Sequence, residues 1–421
     1  MVKPERRTKA DVLAAATIAV VVAVAAALIW WTSDARATIS RPAAGPPPSP
    51  RLAHGVPASL KQLWTAPNAP TDQPVAVAGT VVTADGRVVQ GRDPVTGQVR
   101  WSYSRGSDLC GVSGVYRYAV AVYRDDRGCG QVSTIDGSTG KRGPARSSYF
   151  DQHVSLSSDG TTVLSAGDTR LELWRSDMVR LLSYGEIDAR VKPSSKGLHT
   201  GCRLVSAAAS SAAVSVLAAC GSQADLRLTL LRPSKEEDEP ELRDVPEPGI
   251  AVGSGARVLT VAETKTLIYL PAPQPKVDVV DESGVTVAST LLPKPPSTSS
   301  VVSRPGNLVT WWTGDKVMVF DGATLTYRFS IGAAGPSVPV GPAAMMAGKL
   351  LVPVTGGIAV CDPITGDDEG YLPVTRPPGN APVIPTVPGS QVLEQHGNTL
   401  VALASDDDAG RDGPRRSRAG T

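Results

Sequence analysis

The residues best equipped for chemistry in this 421-residue chain are five cysteines, Cys110, Cys129, Cys202, Cys220 and Cys361. The first four form two alike pairs, 19 and 18 residues apart, each enclosing a strand-like stretch. Bridged as Cys110–Cys129 and Cys202–Cys220, each pair would remove unfolded-state entropy worth about 3 kcal/mol, although four cysteines allow other connectivities. Cys361, left over in GIAVCD, reads as a buried, inert thiol. No spacing among the cysteines and the scattered His54, His153, His199 and His396 has a zinc-site pattern. Gly137-Ser-Thr-Gly140-Lys141 hints at a phosphate loop or an S-x-x-K nucleophile. A phosphate loop, however, needs Gly where Ile135 stands and Ser or Thr where Arg142 stands. There is no G-x-S-x-G, H-E-x-x-H or G-x-G-x-x-G. No catalytic residue, metal site or cofactor is expected, and the chain reads as a non-enzyme.

The segment at Gly137 belongs instead to a repeated turn. Asp93-Pro-Val-Thr96-Gly97, Asp136-Gly-Ser-Thr139-Gly140 and Asp362-Pro-Ile-Thr365-Gly366 are full copies of D-x-x-T-G; Asp321-Gly-Ala-Thr324 keeps the first part, and Asp281-Glu-Ser-Gly284 is looser. Each follows a short apolar or alternating run. The carboxylate and hydroxyl can accept backbone N–H bonds and Gly supplies a positive φ, which is the chemistry of a tight turn between strands. The steps are 43 residues from Asp93, 40 from Asp281 and 41 from Asp321. The interval of 145 between Asp136 and Asp281 has room for two degenerate copies, turning near Arg175 and Arg232. One further step of 42 lands on Ala404.

Periods of ~40–45 residues with four short strands each indicate a β-propeller. A β-helix needs a shorter period, and an α-solenoid needs helical apolar stripes that are missing after residue 31. The expected fold is all-β: an eight-bladed propeller, with seven blades the alternative because the long interval is degenerate. The last copy lacks its final strand, while Leu60-Lys-Gln-Leu-Trp64-Thr resembles Gln98-Val-Arg-Trp101-Ser. The N-terminal strand should therefore close the ring. Trp64 and Trp101 read as packing between blades. Trp311 and Trp312, adjacent on one strand, point to opposite faces, with at least one in the core.

A strand followed by D-x-x-T-G-x-x-x-W resembles the PQQ-like β-propeller repeat. That family includes quinoprotein dehydrogenases and the lipoprotein of the bacterial outer-membrane β-barrel assembly machine. The resemblance covers roughly residues 60–405 and is strongest at Asp93–Trp101. The dehydrogenase branch implies adjacent cysteines over the cofactor, a Trp floor and a calcium site; this chain has no Cys-Cys. The Ala/Val-rich, single-anchor layout is similar to actinobacterial envelope proteins.

Residues 1–11 carry four cations, and residues 12–32 form an uncharged apolar run. Twenty such residues rise ~30 Å as a helix, a bilayer core thickness. The cations place residues 1–11 in the cytoplasm and the rest outside, on a single-pass plasma-membrane anchor. Ala35-Arg36-Ala37 matches a cleavage site, so processing after Ala37 is the alternative. The Pro-rich residues 33–59 read as a semi-rigid spacer, residues 60–405 as the propeller, and residues 406–421 as a disordered tail. Lys and Arg total 42 against 40 Asp and Glu, a net charge of +2, which argues against nucleic-acid binding. An acidic insertion, residues 235–244, reads as a solvated loop. Connectors between blades, Arg142–Gln152, Tyr184–Thr200 and Pro373–Gly389, should gather on one face. Arg142, Arg146, Tyr149, Phe150, Arg190, Lys192 and Lys196 there are candidate anchors for a partner. The expected function is a non-enzymatic protein-interaction scaffold in the cell envelope. The alternative is a PQQ-, quinone- or metal-dependent dehydrogenase-like or small-ligand-binding propeller.

Overall fold

In a computed structural model that describes residues 8–47, 51–187, 198–221, 225–235 and 239–405, the strands form eight antiparallel sheets. Blade 1 comprises Val75–Val77, Thr80–Asp85, Val88–Arg92 and Val99–Ser104; blade 2, Leu109–Val115, Tyr118–Asp125, Gly128–Asp136 and Arg142–Ser147. Blade 3 comprises Ser155–Ser158, Thr162–Ala166, Arg170–Arg175 and Arg180–Gly185; blade 4, Cys202–Ala209, Val214–Cys220, Asp225–Arg232 and Glu241–Ala251. Blade 5 follows with Arg257–Ala262, Lys265–Leu270, Lys276–Val280 and Thr286–Leu291, and blade 6 with Val301–Ser303, Leu308–Trp312, Val317–Asp321 and Tyr327–Ile331. Blade 7 is Ala344–Met346, Lys349–Val354, Gly357–Cys361 and Asp368–Pro373, and blade 8 is Val383–Thr386, Val392–His396, Thr399–Ala404 and Lys61–Pro67. The count is eight, not seven. The third strands of blades 3 and 4 end at Arg175 and Arg232, where the repeat spacing puts the degenerate turns.

The first and last parts of the ring meet in one sheet. Lys61 pairs with Ala404, Gln62 with Leu403, Trp64 with Ala402 and Pro67 with Thr399. The buried Asn68 amide completes the junction, donating to Gln395 Oε1 at 2.8 Å and accepting from the Ala84 N–H at 2.9 Å. Hydrophobic clusters lie between successive blades, built mostly from Val, Leu and Ala with Trp101, Trp174 and Trp311 fully buried. Trp312 is buried as well, so both faces of that strand are core.

Three outer-strand aromatics lock onto the turn of the next blade. Trp64 lies so close over Gly97 that a Cβ there would come within 2.5 Å of the ring, and its indole donates to Pro94 O at 2.9 Å. Trp101 covers Gly140 in the same way and donates to Gly137 O at 2.7 Å; Phe329 covers Gly366. These glycines have φ between 69° and 80°, so both space and backbone exclude a side chain. The copy at Asp321 reverses the pieces. The preceding blade has Ala288 at the register position of Trp101, and Leu325 replaces the glycine at φ 60°, fully buried in the cluster that Ala288 packs against. Leu325→Gly should cost about 2–4 kcal/mol in lost core volume, offset by ~1 kcal/mol of backbone relief. In calorimetry, adding Ala288→Trp should recover part of that loss. Additive losses would contradict the interlock.

The segment expected to be a spacer is attached to the propeller. Ile39–Arg41 adds a fifth strand to blade 1, Ile39 opposite Ser104 and Arg41 opposite Ser102. Beyond it the Ala43 N–H donates to Thr139 O at 2.9 Å, and Arg100 donates to Gly45 O and Pro46 O. Ala53, Val56 and Leu60 then pack against the core of blades 7 and 8. Ile39–Arg41, Ala43, Ala53 and Val56 thus sit on the propeller itself. The helix Lys9–Thr32 begins in a capping box, Thr8 with Asp11, and is exposed along its length; it is long and apolar enough to cross a membrane. Residues 406–421 and residues 236–238 of the acidic insertion lie outside the described residues.

Candidate functional site

A propeller has two faces, and this topology assigns every loop to one. The turn face holds the D-x-x-T-G turns and the turns between first and second strands. The connector face holds the turns between second and third strands and the links between blades. On the turn face each motif Asp accepts backbone N–H bonds two and three residues on: Asp93 from Val95 and Thr96, Asp136 from Ser138 and Thr139, Asp321 from Ala323 and Thr324, Asp362 from Ile364 and Thr365. The Thr324 N–H, then Arg328 and Ala323, hold the Asp321 carboxyl far below the usual carboxylate range. Burial would raise Asp136, but bonds from Ser138, Thr139 and Arg117 outweigh it and lower its pKa. All four carboxylates are engaged within their own turns.

Four of the connector-face anchors expected from sequence fall among the described residues. Arg142–Ser147 is blade 2's outer strand, not a connector. Arg142 stands 5.9 Å over the Tyr103 ring. Arg146 reaches between blades to Glu172 at 3.0 Å. Phe150 is buried edge-on against Trp174 at 6.4 Å, and Tyr149 is half-buried. Arg190, Lys192 and Lys196 lie outside the described residues. Glu172 itself is the centre of a buried cluster. Arg170 at 2.5 Å, Arg146 and Arg180 at 3.2 Å surround it, with the Trp174 indole donating at 2.8 Å. Burial opposes ionisation there, and the guanidiniums win, lowering the Glu172 pKa.

A concave feature whose lining residues the sequence reading missed is the axial channel. A cavity of about 520 Å³ is lined by the innermost strands of successive blades and by the turns Ser158–Asp159 and Arg304–Gly306, so it opens on the turn face. Arg304 donates to Thr260 Oγ1 at 2.9 Å and to Val261 O. Burial lowers its pKa, opposed by Asp159. Asp159 accepts from Thr161 and Thr162. Beside this mouth Tyr116 sits at φ 52°, 74% exposed, its N–H donating to Gly160 O at 2.8 Å. The matching turn positions in blades 1 and 7 hold Ala78 and Ala347. No local motif announces this site, because seven separated segments build it.

The cysteines pair as spaced, Cys110 with Cys129 and Cys202 with Cys220. Cys361 is buried in blade 7, and burial pushes its thiol up to about 11. Among the described residues the one grouping of metal-ligand types is His199, Cys202 and Cys220, and its two sulfurs are bonded to each other.

Glu247, on blade 4's outer strand, faces Asp278 and Lys276 of blade 5. Burial, then the Asp278 charge, raise its pKa to about 7. A carboxyl raised in the folded state favours folding below its folded pKa, and that advantage is lost as pH rises from the unfolded value towards 7. Glu247→Gln should therefore raise the melting temperature by a few degrees at pH 8, and the gain should shrink towards pH 5. A gain of equal size at both values would contradict this assignment.

No family model matches the chain, and no curated protein matches its sequence. Among solved structures, the C-terminal WD40 domain of Sif2 aligns over 83% of this chain and 99% of its own, at 12% identity and a TM-score of 0.50. BamB from Moraxella catarrhalis aligns over 82% and 99%, at 16% identity and a TM-score of 0.49. The Pan2 WD40 domain of Neurospora crassa aligns over 71% and 90%, at 12% identity and a TM-score of 0.42. At such identities the likeness bears on the fold alone.

Proposed function

We propose that this chain is a single-pass plasma-membrane protein. Its N-terminus is cytoplasmic, and its propeller works outside the cytoplasm as a non-enzymatic interaction scaffold of the cell envelope. The apolar helix and the two disulfides support the location. The observation that carries the scaffold reading is Tyr116. A large aromatic is held in a left-handed backbone position, exposed, at the mouth of a polar channel, where blades 1 and 7 use alanine and blade 5 uses Glu263. The position costs roughly 1 kcal/mol and gains no packing, a pattern suited to an interface anchor. The proposed docking site is thus the turn face around Tyr116 and Arg304, in place of the connector face.

A photocrosslinking residue at Tyr116 in living cells should yield a discrete protein adduct, while one at Val287 on the outer edge of blade 5 should not. Arg304→Glu should reduce the Tyr116 adduct. No adduct at Tyr116, or equal adducts at both positions, would remove this site. A second reading, a small polar ligand in the channel, is favoured by the cavity volume and by Arg304 and Asp159 in its lining. PQQ with Ca²⁺ producing a new absorbance band and a raised melting temperature would favour it.

A further inference from the structure

We infer that the connector face of blades 1 and 2 lies against the lipid headgroup layer, so that the channel mouth points away from the membrane. The inference rests on the anchored reading above, and it follows from the direction of one short strand. Ile39 pairs with Ser104, the last strand residue before the connector to blade 2, whereas Arg41 pairs with Ser102 and the chain continues to Thr139 in a D-x-x-T-G turn. The chain therefore arrives at the connector end of blade 1 and runs towards the turn face.

Little chain separates that arrival point from the helix. Ser33–Thr38 lies between the helix end at Thr32 and the strand start at Ile39, and Asp34–Ala37 within it is helical. Six residues extend to about 20 Å at most, and less when mostly helical. The link is also held at both ends. Arg36 stacks 3.6 Å over the Trp31 ring, and Ala37 abuts Gly106, where a Cβ would meet it at 2.9 Å. Trp30 and Trp31 suit the headgroup layer by their amphipathic rings. With that layer fixed at the tryptophans, residues 104–106 must sit close to it.

The nearby surface fits such a position. The second-to-third-strand turns and the connector of blades 1 and 2 carry Asp85, Arg87, Arg105, Asp108, Asp125, Asp126 and Arg127, and Arg87 pairs with Asp108 at 2.7 Å. This balanced, hydrated surface can lie among zwitterionic and anionic headgroups without burying an unpaired charge. The turn face lies one strand length farther away, about 20 Å for six residues.

The test uses full-length protein reconstituted in phospholipid vesicles containing a headgroup spin-labelled lipid. A thiol-reactive fluorophore is placed at Asp126→Cys on the connector face or at Lys141→Cys on the turn face, without reductant. Quenching at position 126 should exceed that at 141 several-fold, and a twenty-residue Gly/Ser insertion after Thr38 should abolish the difference. Equal quenching, stronger quenching at 141, or a difference that survives the insertion would overturn the orientation. Protein that fails to float with the vesicles would instead remove the anchored reading itself.

Discussion

A chain beginning at Asn68 should melt far below one beginning at Arg51, because only the longer one can close the ring. Lys61–Pro67 supplies the outer strand of blade 8, and without it the backbone of Thr399–Ala404 is an open edge. The same cut removes Trp64, the aromatic that covers Gly97 and bonds to Pro94 O, so the contact between blades 8 and 1 is lost too. Truncating a fully buried tryptophan costs about 3–5 kcal/mol; the half-buried Trp64 adds a smaller loss to that of the strand, against a whole domain stability of about 5–15 kcal/mol. The truncated chain should lose its single cooperative transition and become protease-sensitive first in blades 8 and 1. Moving residues 51–67 to follow Ser405 should restore the transition. If the chain starting at Asn68 melts like the longer one, the closure is not what holds the ring.

Glu172→Ala should be the most damaging single substitution outside the turns. It leaves Arg146, Arg170 and Arg180 facing one another with the carboxylate gone, where Glu172 is 0% and Arg170 only 4% exposed. Removing one partner of a buried ion cluster costs about 3–5 kcal/mol. The pH dependence checks the cause. A carboxyl lowered in the folded state contributes stability above its unfolded pKa, which is lost as pH falls through the acid range. The wild type should lose this increment on acidification, while Glu172→Ala, lacking it at neutral pH, should show a shallower acid limb. Parallel acid limbs would assign the cluster no role. Arg146→Glu should unfold blades 2 and 3 for the same reason, so it reports on folding rather than on partner binding.

What the sequence made legible was whatever repeats locally. The Asp, Thr and Gly of each turn serve a need met within five residues, so their spacing gave the blade count and pointed to Trp64 as the ring closer. The turns that lost the motif, at Arg175 and Arg232, come at steps of 39 and 57, and that irregularity left seven blades as the alternative. Long-range contacts were not legible. Ile39-Ser-Arg is too short to show a period, and its partner strand lies more than fifty residues on, so the segment read as part of a spacer. Arg142–Ser147 read as a connector because Gly143 and Pro144 break a strand pattern. The sheet accommodates them with a register shift between Arg142 and Ala145. The channel mouth drew on Asp159, Thr260 and Arg304, each unremarkable in its own neighbourhood and brought together only by the closed ring. Leu325 shows the same limit. Its loss of the motif glycine reads as decay of the repeat, yet it is matched by Ala288 in the preceding blade.

The most direct test of a propeller held outside the cytoplasm on its own helix combines the mass of the membrane-fraction protein with labelling of Lys141→Cys by a membrane-impermeant maleimide in intact cells. The account predicts a membrane-bound chain that retains the residues before Thr38 and is labelled without lysis. A soluble chain beginning at Thr38, or labelling that appears only after the cells are broken, would contradict it.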